Sequence, residues 1–396
     1  MAKLLEITGK AISGEWGQDD DTGTGIPVLR TTNFTNEGFV NYKNVVTRSI
    51  SKKNIAEKYL RHGDVIIEKS GGSDKQPVDR VIFFEGEENK YLFNNFTGLL
   101  RVQNPEEWLP KYVFYALYAY YRNGGTRAFE NRTTGLHNLQ VDNYVKSVDI
   151  PKLSYRKQQH ICETLDHVRD VVAYREQQLT KLDKLIKARF VEMFGDFEFN
   201  PKKFPIYLLC NLCDVGSSKR IYQEEQSTSG IPFLKISDLV DLIDAGTFSA
   251  STFILSDRYE RLCSQGLTPK TNDVLITSRG TLGKCYIVKK SDEFYFQDGM
   301  ISWLSNISEK VSSTYISYLF MQPYIQKQIL ALQAGSTVAY LSISMLKRLN
   351  IILPPLSLQN QFSDFVAEVD KSKVEVQKAL DQTQLLFDSL MQQYFG

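Results

Sequence analysis

A repeat of about 200 residues organises this 396-residue chain. Gly-Ile-Pro at residues 25–27 returns 205 positions later at residues 230–232, and Asp64 returns 209 positions later as Asp273. Solenoid units have periods of only about 20–50 residues, so a repeat of this length is a whole domain with its connector. One chain therefore presents two similar surfaces, an arrangement that suits a two-part ligand.

The composition is that of a well-packed globular protein, with 42% hydrophobic and 23% charged residues. The length fits two domains and their connectors. The sequence has no run of 18 apolar residues, and its N-terminus lacks the apolar core of a signal peptide, so we expect a cytoplasmic protein. Because the net charge is only +1, any binding to nucleic acid must come from local basic patches.

The first part of each half has the pattern of a mixed α/β domain. Apolar segments next to turn signals predict matched short strands at residues 28–30 and 233–235, 65–67 and 274–276, and 81–84 and 286–288. Aromatic-rich segments predict one helix in each half, over residues 112–121 and 315–324. Pro151 and Pro354 then mark the end of each domain, because the residue before a proline disfavours helix.

A long helix with a heptad pattern follows each proline. Apolar residues recur there at alternating steps of four and three, and such a repeat held over four heptads is typical of a coiled-coil seam. The seam residues are Ile161, Leu165, Val168, Val172, Leu179, Leu182 and Ile186 in the first helix and Phe362, Val366, Val369, Val376, Leu380, Phe387 and Leu390 in the second. We expect the helices to pair antiparallel; the alternative is that each packs only on its own domain.

These elements predict a mixed α/β (α+β) fold with an internal pseudo-twofold repeat, in which two long antiparallel coiled-coil helices separate two α/β domains. The predicted boundaries are residues 1–153 for the first domain, 154–196 for the first helix, 197–355 for the second domain and 356–396 for the second helix.

The sequence contains no recognisable catalytic or metal site. Cys210 and Cys213 have CxxC spacing, but no second pair completes a zinc site, so we expect all five cysteines to be buried, reduced thiols. The glycine-rich segment at residues 280–285 lacks the spacing and the hydroxyl of a phosphate-binding loop. His160 and His167 are expected on the surface. We therefore predict a non-catalytic chain; the alternatives are a structural adaptor between two proteins and an enzyme with an unrecognised site.

The order of these elements resembles the specificity subunit of type I restriction-modification systems. The resemblance is carried by the repeated Gly-Ile-Pro, by the small-residue loops at 70–73 and 278–283, and by the helix openings that contain Gln158 and Gln359. Both helices also end in Phe-Gly. The resemblance covers essentially the whole chain and depends on order, duplication and spacing. The departures are Asn272, where the family more usually has glycine, and Phe362, where it often has a polar residue.

The resemblance implies two target recognition domains in a DNA-binding subunit that reads a bipartite, asymmetric site, one half-site per domain. Family members assemble with two methyltransferase (modification) subunits, which methylate adenine, and with restriction/translocase subunits, which cleave DNA. S-adenosylmethionine, ATP and magnesium are accordingly expected only on those partners, and this chain is expected to bind neither a cofactor nor a metal.

Residues that contact DNA are expected in polar and basic loops, because Lys and Arg bind phosphates and side chains that reach base edges give specificity. Arg279 lies among small residues that allow close approach, and its guanidinium could engage guanine. The candidates are Lys69, Ser70, Gly71, Gly72, Ser73, Lys75, Arg127, Arg132 and Thr133 in the first domain and Lys219, Arg220, Ser278, Arg279, Thr281 and Lys284 in the second. Each could instead be a solvated turn residue.

Overall fold

The computed structural model describes residues 1–52, 55–73, 76–131, 137–333 and 339–396. These residues form two compact units. Unit 1 comprises Met1–Gln177 and Gln377–Gly396, and unit 2 comprises Gln178–Val376. Each unit therefore contains one α/β domain together with a part of each long helix.

Unit 1 is built from short strands and helices. Its strands are β1 (Ala2–Lys3), β2 (Ile12–Ser13), β3 (Gln18–Asp19), β4 (Ile26–Leu29), β5 (Val46–Ser49), β6 (Val65–Glu68), β7 (Ser70–Gly72), β8 (Val81–Phe83), β9 (Leu92–Phe93), β10 (Thr97–Leu100), β11 (Glu130–Asn131), β12 (His137–Leu139) and β13 (Asp149–Ile150). Its helices are α1 (Leu4–Thr8), α2 (Pro110–Arg122), α3 (Val141–Ser147) and the first part of α4 (Tyr155–Phe194).

The main sheet of unit 1 has the antiparallel order β2-β10-β6-β8. All four residues of β6 are buried, which explains why residues 65–67 of this strand are a continuous apolar run rather than an alternating pattern. A second sheet has the order β3-β5-β4-β9, with β4 and β9 parallel. Two smaller groups complete the unit: the pair β1-β13 and the three-stranded sheet β11-β12-β7.

Unit 2 repeats this plan. Its strands are β14 (Ile206–Leu208), β15 (Asp214–Ser217), β16 (Gln226–Ser227), β17 (Ile231–Leu234), β18 (Phe253–Ile254), β19 (Val274–Thr277), β20 (Cys285–Ile287), β21 (Tyr295–Phe296), β22 (Ile301–Ser305) and β23 (Asn350–Ile352). Its helices are α5 (Ile236–Ala245), α6 (Ser256–Ser264), α7 (Ser313–Phe320), α8 (Pro323–Leu332), α9 (Ile343–Lys347), the last part of α4 and the first part of α10 (Leu356–Phe395).

Three of the four sheets of unit 1 recur strand for strand in unit 2, and the sheet β11-β12-β7 does not. The order β15-β22-β19-β20 repeats β2-β10-β6-β8, and the pair β14-β23 repeats β1-β13. The strands β17 and β21 are parallel, as β4 and β9 are in unit 1. The internal repeat in the sequence is therefore a repeat of the fold.

Two details of the predicted elements are wrong. The helix expected over residues 315–324 is two helices, since α7 ends at Phe320 and α8 begins at Pro323. Proline lacks a backbone donor and fits the first turn of a helix, so it starts a new helix there instead of continuing the old one. The strands β4, β8, β17 and β20 also end one residue before their predicted ends, which leaves Arg30, Phe84, Lys235 and Val288 just beyond them.

The long helices α4 and α10 each span 40 residues. In unit 1, Ile161 and Leu165 of α4 share a core with Phe387 and Met391 of α10. In unit 2, Ile186 of α4 shares a core with residues from the start of α10. Because opposite ends of the two helices share a core in both units, their pairing is antiparallel.

The predicted seam residues differ in depth. The buried seam residues are Ile161, Leu165, Val168, Ile186, Phe362, Val366, Val369 and Phe387. The half-buried seam residues are Val172, Leu179, Leu182, Val376, Leu380 and Leu390. Near the helix ends the buried face widens to include Phe190 and Met391, which the seam pattern omits. The widening has a physical reason: the helix ends pack on a domain as well as on the other helix, as the Phe190–Tyr315 ring stacking at 5.9 Å shows.

One glutamine at the start of each long helix joins that helix to its domain. The Oε1 atom of Gln158 accepts a hydrogen bond from the backbone N–H of Leu109 at 2.9 Å, and its Nε2 donates to the carbonyls of Glu107 and Leu153. Gln359 makes the same three bonds with Ser312, Lys310 and Pro354. Both glutamines are buried, with Gln158 1% exposed and Gln359 0% exposed. The glutamines of the helix openings are therefore structural residues.

The five cysteines are free. The prediction that all of them are buried is wrong for Cys210 and Cys263, which are exposed. Burial raises the pKa of the Cys162 and Cys213 thiols to about 12, so both are protonated at neutral pH. Within the described part of the chain, no helix combines the length and the apolar character needed to cross a membrane.

Candidate nucleic-acid interface

Two of the predicted DNA-contacting loops of unit 2 meet at one end of its main sheet. Ser217, the last residue of β15, pairs with Ser302 of β22, and Thr277, the last residue of β19, pairs with Ile301. The residues after both strands therefore emerge at the same edge of the sheet. This edge brings together Lys219, Arg220 and Arg279, three of the predicted candidates.

Arg279 is exposed and has a defined position. Its backbone forms an antiparallel β-bridge with Tyr340, and its guanidinium carbon lies 4.9 Å from the centre of the Tyr340 ring. The next residue, Leu341, donates its N–H to the carbonyl of Ser278 at 3.0 Å. The side chain is thus held against an aromatic face while its N–H groups remain open to solvent.

The other basic candidates of unit 2 differ in how freely they could move to a phosphate. Lys219 is exposed, and its backbone N–H donates to the Tyr295 hydroxyl at 2.8 Å. Arg220 is exposed but its Nε lies 2.9 Å from Asp298, and the Lys284 ammonium lies 2.5 Å from Asp244. Arg220 is the more exposed cation of the two, and an exposed ion pair is weak enough, at about 0–1 kcal/mol, for a phosphate to compete with the carboxylate, whereas Lys284 is half-buried.

The prediction for Ser278 is wrong. Its side chain is buried, and its hydroxyl lies 2.6 Å from the hydroxyl of Ser302. Its N–H donates to the carbonyl of Met300 at 2.9 Å. Ser278 therefore fastens the end of β19 to β22 and faces away from any ligand, whereas Arg279 and Thr281 beyond it are exposed.

The candidate loop at residues 69–73 of unit 1 is partly a strand. Ser70–Gly72 forms β7, which pairs with β12. Gly72 is buried, and a Cβ placed on it would lie 2.5 Å from the backbone nitrogen of Val78, so the prediction that Gly72 contacts DNA is wrong. Gly71 is exposed at a φ of 134°, a backbone region that favours glycine. Ser73 is also exposed.

Lys69 and Arg127 are less exposed than Lys219, Arg220 and Arg279 of unit 2. The Lys69 ammonium donates to the Ser13 hydroxyl at 2.8 Å, and burial, with a smaller effect of Lys58, lowers its pKa. Arg127 is half-buried in a short 3-10 helix and has an interaction partner. Three further candidates, Lys75, Arg132 and Thr133, lie outside the described residues.

Sequence reasoning missed a buried ion pair beside β7. Arg80 donates to both carboxylate oxygens of Glu68 at 2.9 and 3.0 Å, and also to the carbonyls of Phe34 and Thr31. Glu68 is only 3% exposed. Arg80 therefore binds groups inside the domain. This ion pair can be recognised from the distance between the two side chains but not from their spacing in the sequence.

The described residues contain no group of three or more side chains suited to hold a metal ion. His160 and His167 are exposed on α4, as predicted. His137 is buried, with its Nδ1 atom 2.9 Å from Glu130. The arrangement of exposed basic and polar side chains at a sheet edge is suited to binding a polyanion.

Comparisons with known proteins point to one family. A family model described as the type I restriction modification DNA specificity domain matches residues 201–383. Over 156 residues the chain is 31% identical to the putative type I restriction enzyme specificity subunit S.HindORF215P of Haemophilus influenzae, a match that covers 38% of this chain and 37% of that protein. It is 22% identical over 370 residues to the type I restriction enzyme MjaVIII specificity subunit of Methanocaldococcus jannaschii, covering 87% and 84% of the two chains.

Solved structures share the fold over the whole chain. The S subunit of the type I restriction-modification system from M. genitalium superposes with a TM-score of 0.55 at 15% identity, covering 100% of this chain and 95% of that one. A chain from a structure concerned with complex assembly and conformational transition of the type I R-M system gives a TM-score of 0.59 at 15% identity, covering 100% and 96%.

Proposed function

We propose that this chain is a specificity subunit of a type I restriction-modification system and that it reads a bipartite, asymmetric DNA site with one half-site per domain. The observation that carries this proposal is the strand-for-strand repeat of the main sheet in the two units. One fold used twice in one chain provides two reading surfaces of the same kind.

The asymmetry of the site is supported by the different side chains at equivalent sheet edges. At the edge in unit 2, the exposed residues include Lys219, Arg220 and Arg279. At the corresponding edge in unit 1, Lys69 is half-buried and the residue at the equivalent strand end is Ser70. Base recognition depends on the donor and acceptor groups that reach the groove, so two edges with different groups would select different sequences.

We assign catalysis to partner subunits. The proposed complex contains two methyltransferase subunits, which methylate adenine, and restriction/translocase subunits, which cleave; S-adenosylmethionine, ATP and magnesium would bind to these partners. The sequence supports this division of labour because its aspartate, asparagine, cysteine and histidine residues form no recognisable catalytic motif. The present chain would only determine where on the DNA the complex binds.

The test uses the complex of this chain with its modification subunits. We expect DNA binding whose affinity falls steeply with salt, since phosphate contacts release counterions. Sequencing of DNA methylated by the complex should give one motif with two different half-sites and an unread spacer. A single continuous motif would contradict the bipartite proposal, and salt-independent binding would contradict phosphate contact.

A further inference from the structure

The two units carry equivalent β-bridges beside the end of the main sheet. In unit 1, Asn138 of β12 pairs with Ser70, and the following residue, Leu139, donates its N–H to the Lys69 carbonyl at 2.9 Å. In unit 2, Tyr340 pairs with Arg279, and Leu341 donates in the same way to Ser278 at 3.0 Å. The backbone arrangement is thus the same, while the side chains are a hydroxyl and an amide in one unit and a guanidinium and an aromatic ring in the other.

The side chain of Asn138 points away from the core of unit 1. Its neighbours His137 and Leu139 are buried while Asn138 is half-buried, and successive residues of a strand face opposite sides. Asn138 lies on the central strand of the sheet β11-β12-β7, between Ser70 and Asn131. Its amide has no hydrogen bond to another of the described residues and is therefore able to bind a ligand.

The chemistry of the two bridges matches two different bases. An asparagine amide has one donor and one acceptor spaced to engage N7 and N6 of adenine, while a guanidinium has two donors spaced to engage O6 and N7 of guanine. These base atoms are displayed in the major groove. The Tyr340 ring restricts the Arg279 guanidinium to one side, which reduces the conformational entropy that the arginine must lose on binding.

We infer that Asn138 reads an adenine in the half-site of the first domain, and that Tyr340 is a positioning residue that directs Arg279 to a guanine in the half-site of the second. This inference rests on the proposed function, because it assigns bases to the two half-sites. It adds two residues, Asn138 and Tyr340, whose types do not stand out in the sequence as DNA-binding.

The experiment measures how tightly the complex of this chain with its modification subunits binds duplexes that each carry one base-pair substitution. Asn138→Ala and Asn138→Asp should each reduce discrimination for one A·T pair of the first half-site by roughly 5- to 150-fold, the range for a lost bidentate contact, and leave the second half-site unchanged. Tyr340→Leu should reduce discrimination for one G·C pair of the second half-site by roughly 2- to 5-fold, while Tyr340→Phe, which keeps the ring, should retain it.

Matched controls lie at the far end of the main sheet of each unit. Asn104 follows the far end of β10, and Lys270 precedes the far end of β19; both are exposed, and their replacement by alanine should leave all base preferences unchanged. The salt dependence of binding should also be the same in every variant, because no phosphate contact is removed.

The outcomes separate this inference from the proposed function. If the wild-type complex has no bipartite motif, the proposed function is wrong. If the wild type has such a motif but both Asn138 variants lose affinity equally for all duplexes, Asn138 does not read a base. If Tyr340→Leu and Tyr340→Phe behave alike, the ring does not position Arg279.

Discussion

Neighbouring residues at the end of β19 have opposite roles, which makes Arg279 a defined target. Ser278 points inward to Ser302, and Arg279 points outward against Tyr340. We expect Arg279→Ala to cost about 1–3 kcal/mol of binding free energy at one base pair of the second half-site. Competition between duplexes substituted at each position measures this. An equal loss on every duplex would show that Arg279 contacts a phosphate instead.

Asp79 is a buried acid in a backbone conformation that favours glycine. It is fully buried, and its φ is 86°. The equivalent position in unit 2 is Gly283, with a φ of 76°. Burial raises the pKa of Asp79 well above its usual range, against a smaller lowering by its interaction with the Tyr144 hydroxyl, and the charge of Glu68 adds a small further increase. The native fold therefore favours the protonated acid.

This predicts that unit 1 loses stability as the pH rises. Because the folded-state pKa is raised, the contribution of Asp79 is fully present below the pKa of the unfolded chain, near 4, and is lost as the pH rises toward the folded-state pKa. We expect Asp79→Gly to stabilise unit 1 at neutral pH by about 1–3 kcal/mol and to flatten this pH dependence. Hydrogen exchange of the β6 amides, measured between pH 5 and pH 8 with correction for intrinsic exchange, reports the change.

The matched control is Asn89→Gly. Asn89 also has a positive φ, at 60°, but it is exposed. Its replacement should therefore have only the small backbone effect, within about 0.5 kcal/mol and with no dependence on pH. A wild-type unit 1 that is as stable at pH 8 as at pH 5 would contradict the account of Asp79.

The residues that sequence reasoning placed wrongly share one cause. Strands such as β6 and β19 could be predicted because a buried strand has a local apolar signal. The direction of a side chain at the end of a strand depends instead on its partner across the sheet, as Ser278 depends on Ser302. Nothing in the local pattern shows which of Ser278 and Arg279 points into the domain. The roles proposed for Asn138 and Tyr340 depend on β-bridges between residues far apart in the chain, which the sequence does not show.

At the scale of elements, the start of each long helix is fixed by one buried amide. The sequence shows two glutamines at each opening, and the structure separates their roles, since Gln158 and Gln359 are buried whereas Gln159 and Gln361 are exposed. An exposed glutamine and a buried one look alike in a single sequence. The heptad pattern predicted the helices well because it is periodic, but it gave no information on this hydrogen-bonded junction.

We expect Gln158→Leu to destabilise unit 1, and Gln359→Leu to destabilise unit 2, by about 1–3 kcal/mol each. Each substitution leaves one backbone N–H and two carbonyls without the amide that satisfied them. Urea unfolding combined with hydrogen exchange assigns the loss to a unit. Gln159→Leu is the control, and its stability should stay within about 0.5 kcal/mol of wild type. An equal loss of stability in Gln158→Leu and Gln159→Leu would show that the hydrogen bonds of Gln158 do not hold the start of α4 to its domain.

At the scale of the whole molecule, each unit has its own core. The cores of unit 1 are built from residues of the first domain and from the parts of α4 and α10 that belong to it, and the cores of unit 2 are built in the same way. A domain therefore packs on segments of both long helices. The Tyr112 ring, for example, lies 5.3 Å from the ring of Phe395 near the chain's C-terminus.

This packing determines how the modularity of recognition can be tested. We expect that replacing residues 1–153 with the corresponding domain of another family member changes the first half-site and leaves the second unchanged, because the residues proposed to read the second lie within unit 2. The incoming domain must keep an aromatic residue at the position of Tyr112 and a cation at the position of Arg122, which pairs with Asp388 at 2.7 Å. Without the aromatic ring the variant would lose part of the core of unit 1, and without the cation it would lose an exposed ion pair of smaller effect.

The methylation motif of the exchanged complex is the measurement. The reciprocal replacement of residues 197–355 is the matched variant and should change only the second half-site. Retained methylation at the unexchanged half-site also shows that the complex is folded, so that a negative result is informative. If either exchange alters both half-sites in an active complex, recognition is not divided between the two domains as proposed.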